Sequence, residues 1–78
     1  MVNAIIADDN KDLCMTLANE LNVTKEMKVL EMINDGTKVI QEIKRLKPEI
    51  IILDLKMPGR NGLQIIEDIE NDDSIETK

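Results

Sequence analysis

The run Ile50–Leu53 constrains the fold of this chain more than any other feature. Its four residues are all branched and apolar, and the acidic residue Asp54 follows them directly. A strand that is apolar on both faces is typical of the middle of a parallel sheet that helices cover on both sides. We therefore predict a buried strand over residues 50–54, with the carboxylate of Asp54 at its carboxyl end.

The rest of the sequence alternates between short apolar runs and apolar stripes of helical spacing. Val2–Ala7 is a second apolar run, and two aspartates and an asparagine follow it. The run at residues 28–33 is less apolar and fits an edge strand. The predicted strands are about residues 2–7, 28–33 and 50–54, and the predicted helices are about residues 11–21, 36–47 and 62–70. The polar tail, residues 70–78, is expected to fray.

This order of elements predicts one α/β domain. Short loops and right-handed crossovers between successive strands give a doubly wound parallel sheet with helices on both faces. In such sheets, functional side chains gather beyond the carboxyl ends of the strands. Asp8, Asp9 and Asp54 all follow predicted strands at that end, so we expect them to lie close together.

Three neighbouring carboxylates repel one another, so their site needs a proton or a cation. Mg²⁺ favours oxygen ligands and keeps several waters, which suits two or three carboxylates and a carbonyl. It would keep Asp54 ionised and attract a phosphoryl group. The alternative for Asp8 and Asp9 is a solvated strand end, whereas an acid directly after four branched apolar residues has little structural use.

The composition argues against several other classes of function. The net charge of −6 repels nucleic acids, and the absence of aromatic residues removes stacking platforms for single strands. Without histidine, a zinc site or a serine or cysteine nucleophile would lack its usual partner. Glycine motifs for dinucleotides or nucleotide phosphates are absent. Cys14 is the single cysteine and lies on an apolar helix stripe. Because a single cysteine cannot form an internal disulfide, we expect a cytoplasmic protein.

Two strings of this sequence resemble the receiver domains of two-component signalling. They are Ala7-Asp8-Asp9-Asn10 after the first strand and Ile52-Leu53-Asp54-Leu55-Lys56-Met57-Pro58-Gly59-Arg60-Asn61-Gly62 after the third. The resemblance covers nearly the whole chain and implies that residues 1–78 form the N-terminal part of a receiver domain. The implied fold is flavodoxin-like, with strand order 2-1-3. The first residues look most like receivers of sporulation-type transcription factors.

The resemblance also implies a role for each site residue. Asp54 would accept a phosphoryl group from the phosphohistidine of a histidine kinase or phosphotransfer protein. Asp8, Asp9 and Asp54 would hold Mg²⁺, with the backbone carbonyl of Lys56 as a further ligand. The implied loop and turn residues are Met57, Pro58 and Gly62.

Two positions depart from the family pattern. Asn61 stands where many receivers have aspartate, and asparagine caps a helix equally well. Lys56 places a cation near the mouth of the pocket. It is either a solvated loop lysine or a modulating residue that neutralises the acids and tunes the lifetime of the phosphoryl group.

A full receiver has parts that these 78 residues lack. It has five strands in the order 2-1-3-4-5, a serine or threonine after strand four and a lysine after strand five. Without strand four, the strand at residues 50–53 would have an open edge. We expect a homodimer in which this strand pairs with its mate in antiparallel fashion, giving a six-stranded sheet ordered 2-1-3-3-1-2.

Three functions are compatible with the sequence. The first is a phosphoacceptor module of a response regulator, which is not an enzyme acting on an outside substrate. The alternative is a receiver-like half-domain that self-associates as a structural or interaction module without phosphotransfer. The third is a Mg²⁺-dependent phosphohydrolase, but those enzymes commonly carry a second acid two residues after the nucleophile, where this chain has Lys56.

Overall fold

The computed structural model describes residues 1–77, which form three β-strands, three α-helices and one short 3₁₀ turn. The elements in chain order are β1 Val2–Ala7, α1 Lys11–Val23, β2 Met27–Ile33, a 3₁₀ turn Gly36–Lys38, α2 Val39–Leu46, β3 Ile50–Leu53 and α3 Gly62–Glu70. Among residues 1–77, no helix combines the length and the apolar character needed to cross a membrane.

The three strands form one parallel sheet in the order β2-β1-β3. The predicted fold class and the predicted strand order are therefore confirmed. However, β1 and not β3 occupies the centre of this sheet. The residues of β1 from Ala4 to Ala7 are fully buried, whereas all four residues of β3 are only half-buried. The apolar character of β3 exceeds what its edge position in the described chain requires.

Helices cover both faces of the sheet. Alternate residues of a strand point to opposite sides, so the apolar strands give the sheet two apolar faces that need to be covered. On one face α2 and α3 pack over the larger core cluster, which consists of Ile5, Ala7, Ile33, Val39, Ile43, Met57 and Ile65. On the other face α1 packs over Ile6 through Cys14 and Ala18. Cys14 is buried in this second cluster, as its position on the apolar stripe predicts.

The first helix is longer than the sequence predicts. It continues two residues beyond the expected end at residue 21, to Val23. The helix ends before Lys25, which has a left-handed backbone with φ of 60°. The Thr24 hydroxyl donates to the Leu21 carbonyl at 2.8 Å and so satisfies one of the last free carbonyls. Strand β2 begins one residue earlier than expected, at Met27, which pairs with Val2 of β1.

The second predicted helix is divided into two parts. Residues Gly36–Lys38 form a 3₁₀ turn, capped by the Asp35 side chain, and α2 itself runs over Val39–Leu46. The helix stops before Lys47, which has a left-handed backbone with φ of 50°. The reason is that Pro48 disfavours helical geometry at the preceding residue. Strand β3 also ends one residue earlier than predicted, so Asp54 lies just beyond it.

The expectation of a frayed tail is wrong for residues 71–77. Ile75 packs against the larger core cluster, and Thr77 is 9% exposed. The Thr77 hydroxyl donates to the Pro48 carbonyl at 2.6 Å. Asp72 accepts hydrogen bonds from the backbone N–H and hydroxyl of Ser74 and forms an ion pair with Lys44 at 2.9 Å. Lys78 lies outside the described residues.

Acidification is expected to loosen this tail only below about pH 4. The Ser74 hydroxyl, and then Lys44, lower the pKa of Asp72 from 3.8 to about 2. A lowered carboxyl pKa stabilises the folded state above pH 3.8, and the contribution is lost as the pH falls towards 2. The carboxyl ¹³C shift of Asp72 measures this directly. Ser74→Ala should raise the pKa more than Lys44→Ala, and a native midpoint at or above 3.8 would refute the account.

Candidate functional site

Three carboxylates meet at the carboxyl edge of the sheet. Asp8 and Asp9 follow β1, and Asp54 follows β3. One oxygen from each of the three side chains lies within 4.8 Å of the others. Their proximity follows from the topology, because β1 and β3 are parallel neighbours with Ala7 opposite Leu53. The residues that continue both strands are therefore delivered to the same place.

Asp8 is held through its main chain as well as its side chain. Its N–H donates to the Ile33 carbonyl at 2.9 Å, which extends the hydrogen bonding of β1 to β2 by one residue. Its carbonyl accepts from Asn34 Nδ2 at 2.8 Å and from Cys14 Sγ at 3.4 Å. Its Oδ1 accepts the Asn10 N–H at 2.9 Å. Asp8 is thus tied to β2, to α1 and to the turn that begins α1.

The surroundings of Asp9 raise the pKa of its carboxyl group. Partial desolvation, a hydrogen bond with Asp8 and the charges of Asp54 and Asp8 all raise the pKa of Asp9 above 3.8. Each of these causes disfavours the ionised form of Asp9. A positive charge placed among the three carboxylates would act in the opposite direction and stabilise their ionised forms.

Asp54 is held by hydrogen bonds of both its backbone and its side chain. Its N–H donates to the Ala7 carbonyl at 2.8 Å, which places it beside the end of β1. Its Oδ1 accepts the backbone N–H of Lys56 at 3.2 Å. Asp54 is half-buried, whereas the Lys56 side chain is exposed. The roles assigned to the carbonyl and the ammonium group of Lys56 stay predictions.

The loop after Asp54 is anchored at several points. Met57 is 7% exposed and belongs to the larger core cluster, and the Pro58 carbonyl accepts the Gly36 N–H at 3.1 Å. Asn61 caps α3 in a reciprocal capping box with Gln64, with both hydrogen bonds at 3.0 Å. The asparagine at this position therefore performs the capping that was expected of it.

Only glycine fits at position 62, because the surrounding backbone leaves no room for a side chain. A Cβ at Gly62 would lie 2.7 Å from the Asp54 carbonyl oxygen and 2.7 Å from the Leu55 Cα. Its N–H donates to the Leu55 carbonyl at 3.1 Å. The first turn of α3 therefore packs directly against the backbone that presents Asp54, and any side chain at Gly62 would push the two apart.

Sequence reasoning missed three residues that shape the site. Asn34 contacts the Asp8 carbonyl, Gly36 contacts the loop after Asp54, and Arg60 forms a two-point ion pair with Asp68 of α3. Asn34 follows β2, so the rule that draws attention to strand ends would have found it. Nothing in the sequence indicates the close approach of Gly36 or the pairing of Arg60 with Asp68.

The chemistry of the cluster fits a hard divalent cation. Its ligand atoms are carboxylate oxygens, and they come from three side chains that are close enough to share one ion. Mg²⁺ binds such oxygens together with waters and seldom uses a cage made only of protein. The half-buried and exposed positions of the three acids leave access for those waters.

Comparison with known proteins gives a consistent family. The model of the response regulator receiver domain matches residues 4–77. The DNA-binding transcriptional activator EvgA of Escherichia coli K12 is 35% identical over 66 residues, which cover 85% of this chain and 32% of EvgA. The transcriptional regulatory protein DesR of Bacillus subtilis is 30% identical over 71 residues, which cover 91% of this chain and 36% of DesR. The chain thus spans about a third of the length of these relatives.

Solved structures show the same fold. The receiver domain of the response regulator NarL from Mycobacterium tuberculosis superposes with a TM-score of 0.92 at 23% identity, covering 99% of this chain and 61% of that one. The response regulator domain of CheB from Thermotoga maritima gives a TM-score of 0.84 at 28% identity, covering 88% of this chain and 52% of that one. With the family match over residues 4–77, these findings show that the chain belongs to the response regulator receiver domain family.

Proposed function

We propose that this chain is the phosphoacceptor part of a response regulator and that Asp54 receives the phosphoryl group. The observation that carries the proposal is the meeting of Asp8, Asp9 and Asp54 within 4.8 Å at the carboxyl edge of the sheet. An Asp54 oxygen attacks the phosphorus of a phosphohistidine on a histidine kinase or phosphotransfer protein. The new O–P bond makes an acyl phosphate, while the P–N bond breaks and the histidine nitrogen keeps the electron pair.

Asp8, Asp9 and Asp54 would hold Mg²⁺, with the Lys56 carbonyl as a further ligand. When bound, the ion supplies positive charge that neutralises the phosphoryl oxygens during transfer. The chain itself orients the acceptor, because the Lys56 N–H holds Asp54 Oδ1 and restricts rotation of the carboxylate. Asp8 is anchored through its backbone carbonyl, and Asp9 is exposed, so its carboxylate is accessible from solvent.

The proposal extends to the setting in which the transfer takes place. The relatives EvgA and DesR are named as transcriptional regulators, so we propose that the output of this module is a change in transcription. The net charge of −6 argues that DNA is not contacted by these residues. The module would be modified itself and would not turn over an outside substrate. A free, buried Cys14 fits the reducing conditions of the cytoplasm.

Incubation with acetyl phosphate and Mg²⁺ tests the proposal. We expect a mass increase of one phosphoryl group, blocked when Mg²⁺ is removed by a chelator, and a fragment mass that locates the group on Asp54. Beryllofluoride with Mg²⁺ should shift the NMR signals of the residues around Asp54. An unmodified chain at millimolar Mg²⁺ would contradict phosphotransfer, and steady release of phosphate from many small esters would instead indicate a phosphohydrolase.

We propose in addition that the chain self-associates through β3. The supporting observation is that β3 lies at the edge of the sheet with all four of its apolar residues only half-buried. An edge strand of this kind presents a row of free backbone groups and pairs readily with another strand. A two-fold axis beside β3 would join two copies in antiparallel fashion into the sheet ordered 2-1-3-3-1-2.

A charge on β3 should therefore weaken the association. We expect sedimentation to show a dimer at high micromolar concentration. Ile50→Lys should shift it towards monomer by at least about 10-fold in dissociation constant, because a charged side chain on an edge strand disfavours pairing with another strand. Met32→Lys on the exposed side of β2 is the matched control and should leave the dimer intact. A stable folded monomer of the native chain at that concentration would reject the dimer.

A further inference from the structure

Asn34 is the first residue after β2, and its side chain reaches the main chain that follows β1. Its Nδ2 donates to the Asp8 carbonyl at 2.8 Å and lies 3.7 Å from Cys14 Sγ. The Cys14 thiol, which is 1% exposed, donates to the same carbonyl at 3.4 Å. The Asp8 carbonyl is therefore held from two sides by groups that are themselves half-buried or buried.

The segment that carries Asn34 also touches the other half of the site. Residues 34–36, here called the bridging loop, contact Asp8 through Asn34 and contact the Pro58 carbonyl through the Gly36 N–H at 3.1 Å. Asp8 belongs to the loop after β1, whereas Pro58 belongs to the loop that begins at Asp54. The bridging loop thus joins the two backbone segments that present the three carboxylates.

We propose that Asn34 is a positioning residue that sets the spacing of Asp8 and Asp9 relative to Asp54. The inference rests on the proposed function, because the spacing matters only if the three carboxylates share one cation. Groups that orient metal ligands without touching the metal commonly change its affinity by 10-fold to 100-fold when removed. The Asn34 amide is placed to act in this way, since it holds the Asp8 carbonyl and Asp9 is the next residue of the chain, whereas Asp54 is presented by another strand.

Mg²⁺ binding by two variants tests the proposal. Asn34→Ala removes the amide, and Asn34→Leu removes it while keeping a similar volume. For both we expect the dissociation constant for Mg²⁺ alone, measured by NMR titration, to rise about 10-fold. Asn22→Ala is the matched control. Asn22 Oδ1 accepts the Val29 N–H at 3.2 Å, so this variant also breaks a hydrogen bond between an asparagine side chain and the backbone, but at the opposite end of the sheet.

A second readout needs no metal. Exchange of the Asp8 amide hydrogen with solvent should become faster in both Asn34 variants than in Asn22→Ala at matched stability. Equal Mg²⁺ affinity in the Asn34 variants and the control would overturn the inference while leaving the proposed function in place. If the native chain takes up no Mg²⁺, the metal part of the proposed function fails, and unchanged Asp8 exchange in the Asn34 variants would then overturn the inference as well.

Discussion

Asp54→Asn is expected to reduce phosphoryl labelling by acetyl phosphate and Mg²⁺ by at least about 1,000-fold, because the amide is not a nucleophile under these conditions. The substitution preserves the shape of the side chain and keeps an oxygen that can accept the Lys56 N–H. Intact mass measurement over a time course gives the rate. Asp73→Asn, at an exposed position outside the carboxylate cluster, is the matched control and should be labelled at the native rate.

The same variant distinguishes lost chemistry from lost folding. Removing one of three neighbouring carboxylates relieves like-charge repulsion, so Asp54→Asn should be at least as stable as the native chain without Mg²⁺. Urea unfolding in a chelating buffer measures this. Labelling of Asp54→Asn at the native rate would place the acceptor on another residue, and a strongly destabilised variant would show that Asp54 has a structural role.

Gly36→Ala is expected to destabilise the folded chain by about 3 kcal/mol, because there is no room for a methyl group. A Cβ at Gly36 would lie 1.6 Å from the Arg60 carbonyl oxygen and 2.6 Å from the Arg60 carbonyl carbon. Both are backbone atoms, so no side-chain rotation can relieve the clash. The bridging loop and the loop after Asp54 would have to separate, which also breaks the bond from the Gly36 N–H to Pro58.

Urea unfolding at neutral pH measures the effect of Gly36→Ala as a lower midpoint with a similar slope. Lys38→Ala is the matched control, because Lys38 lies in the same 3₁₀ turn and is exposed. A small domain has only about 5 kcal/mol of stability, so a loss of this size should leave a measurable unfolded fraction at 37 °C. A midpoint equal to that of Lys38→Ala would show that the two loops can move apart at little cost.

The elements and the acidic cluster could be predicted from the sequence because they depend on local patterns. Short branched apolar runs predict strands, stripes of helical spacing predict helices, and their alternation predicts the parallel order. Asp8, Asp9 and Asp54 follow such runs directly, and parallel strands end at the same edge. The meeting of these three carboxylates was expected from those facts, whereas the strand order β2-β1-β3 was implied only by the resemblance to receiver domains.

The boundaries and the tail were predicted less well, because long-range contacts decide them. At the end of α1 the Thr24 hydroxyl occupies the Leu21 carbonyl, a contact that the apolar spacing does not reveal. The tail looks like a fraying end because it is polar, yet Ile75 has a place in the core and Thr77 finds the Pro48 carbonyl. In each case a single contact outweighs the average composition of the segment.

The sequence by itself determined which residues could form strands and helices and which acids would meet, since both follow from side-chain periodicity and strand direction. Only the tertiary structure decided how the acids are held. The hold of Asn34 on the Asp8 carbonyl and the contact of Gly36 with Arg60 join loops that are 24 to 26 residues apart in the chain. Contacts of this kind depend on how the loops pack after the sheet has formed, and packing leaves no periodic trace in the sequence.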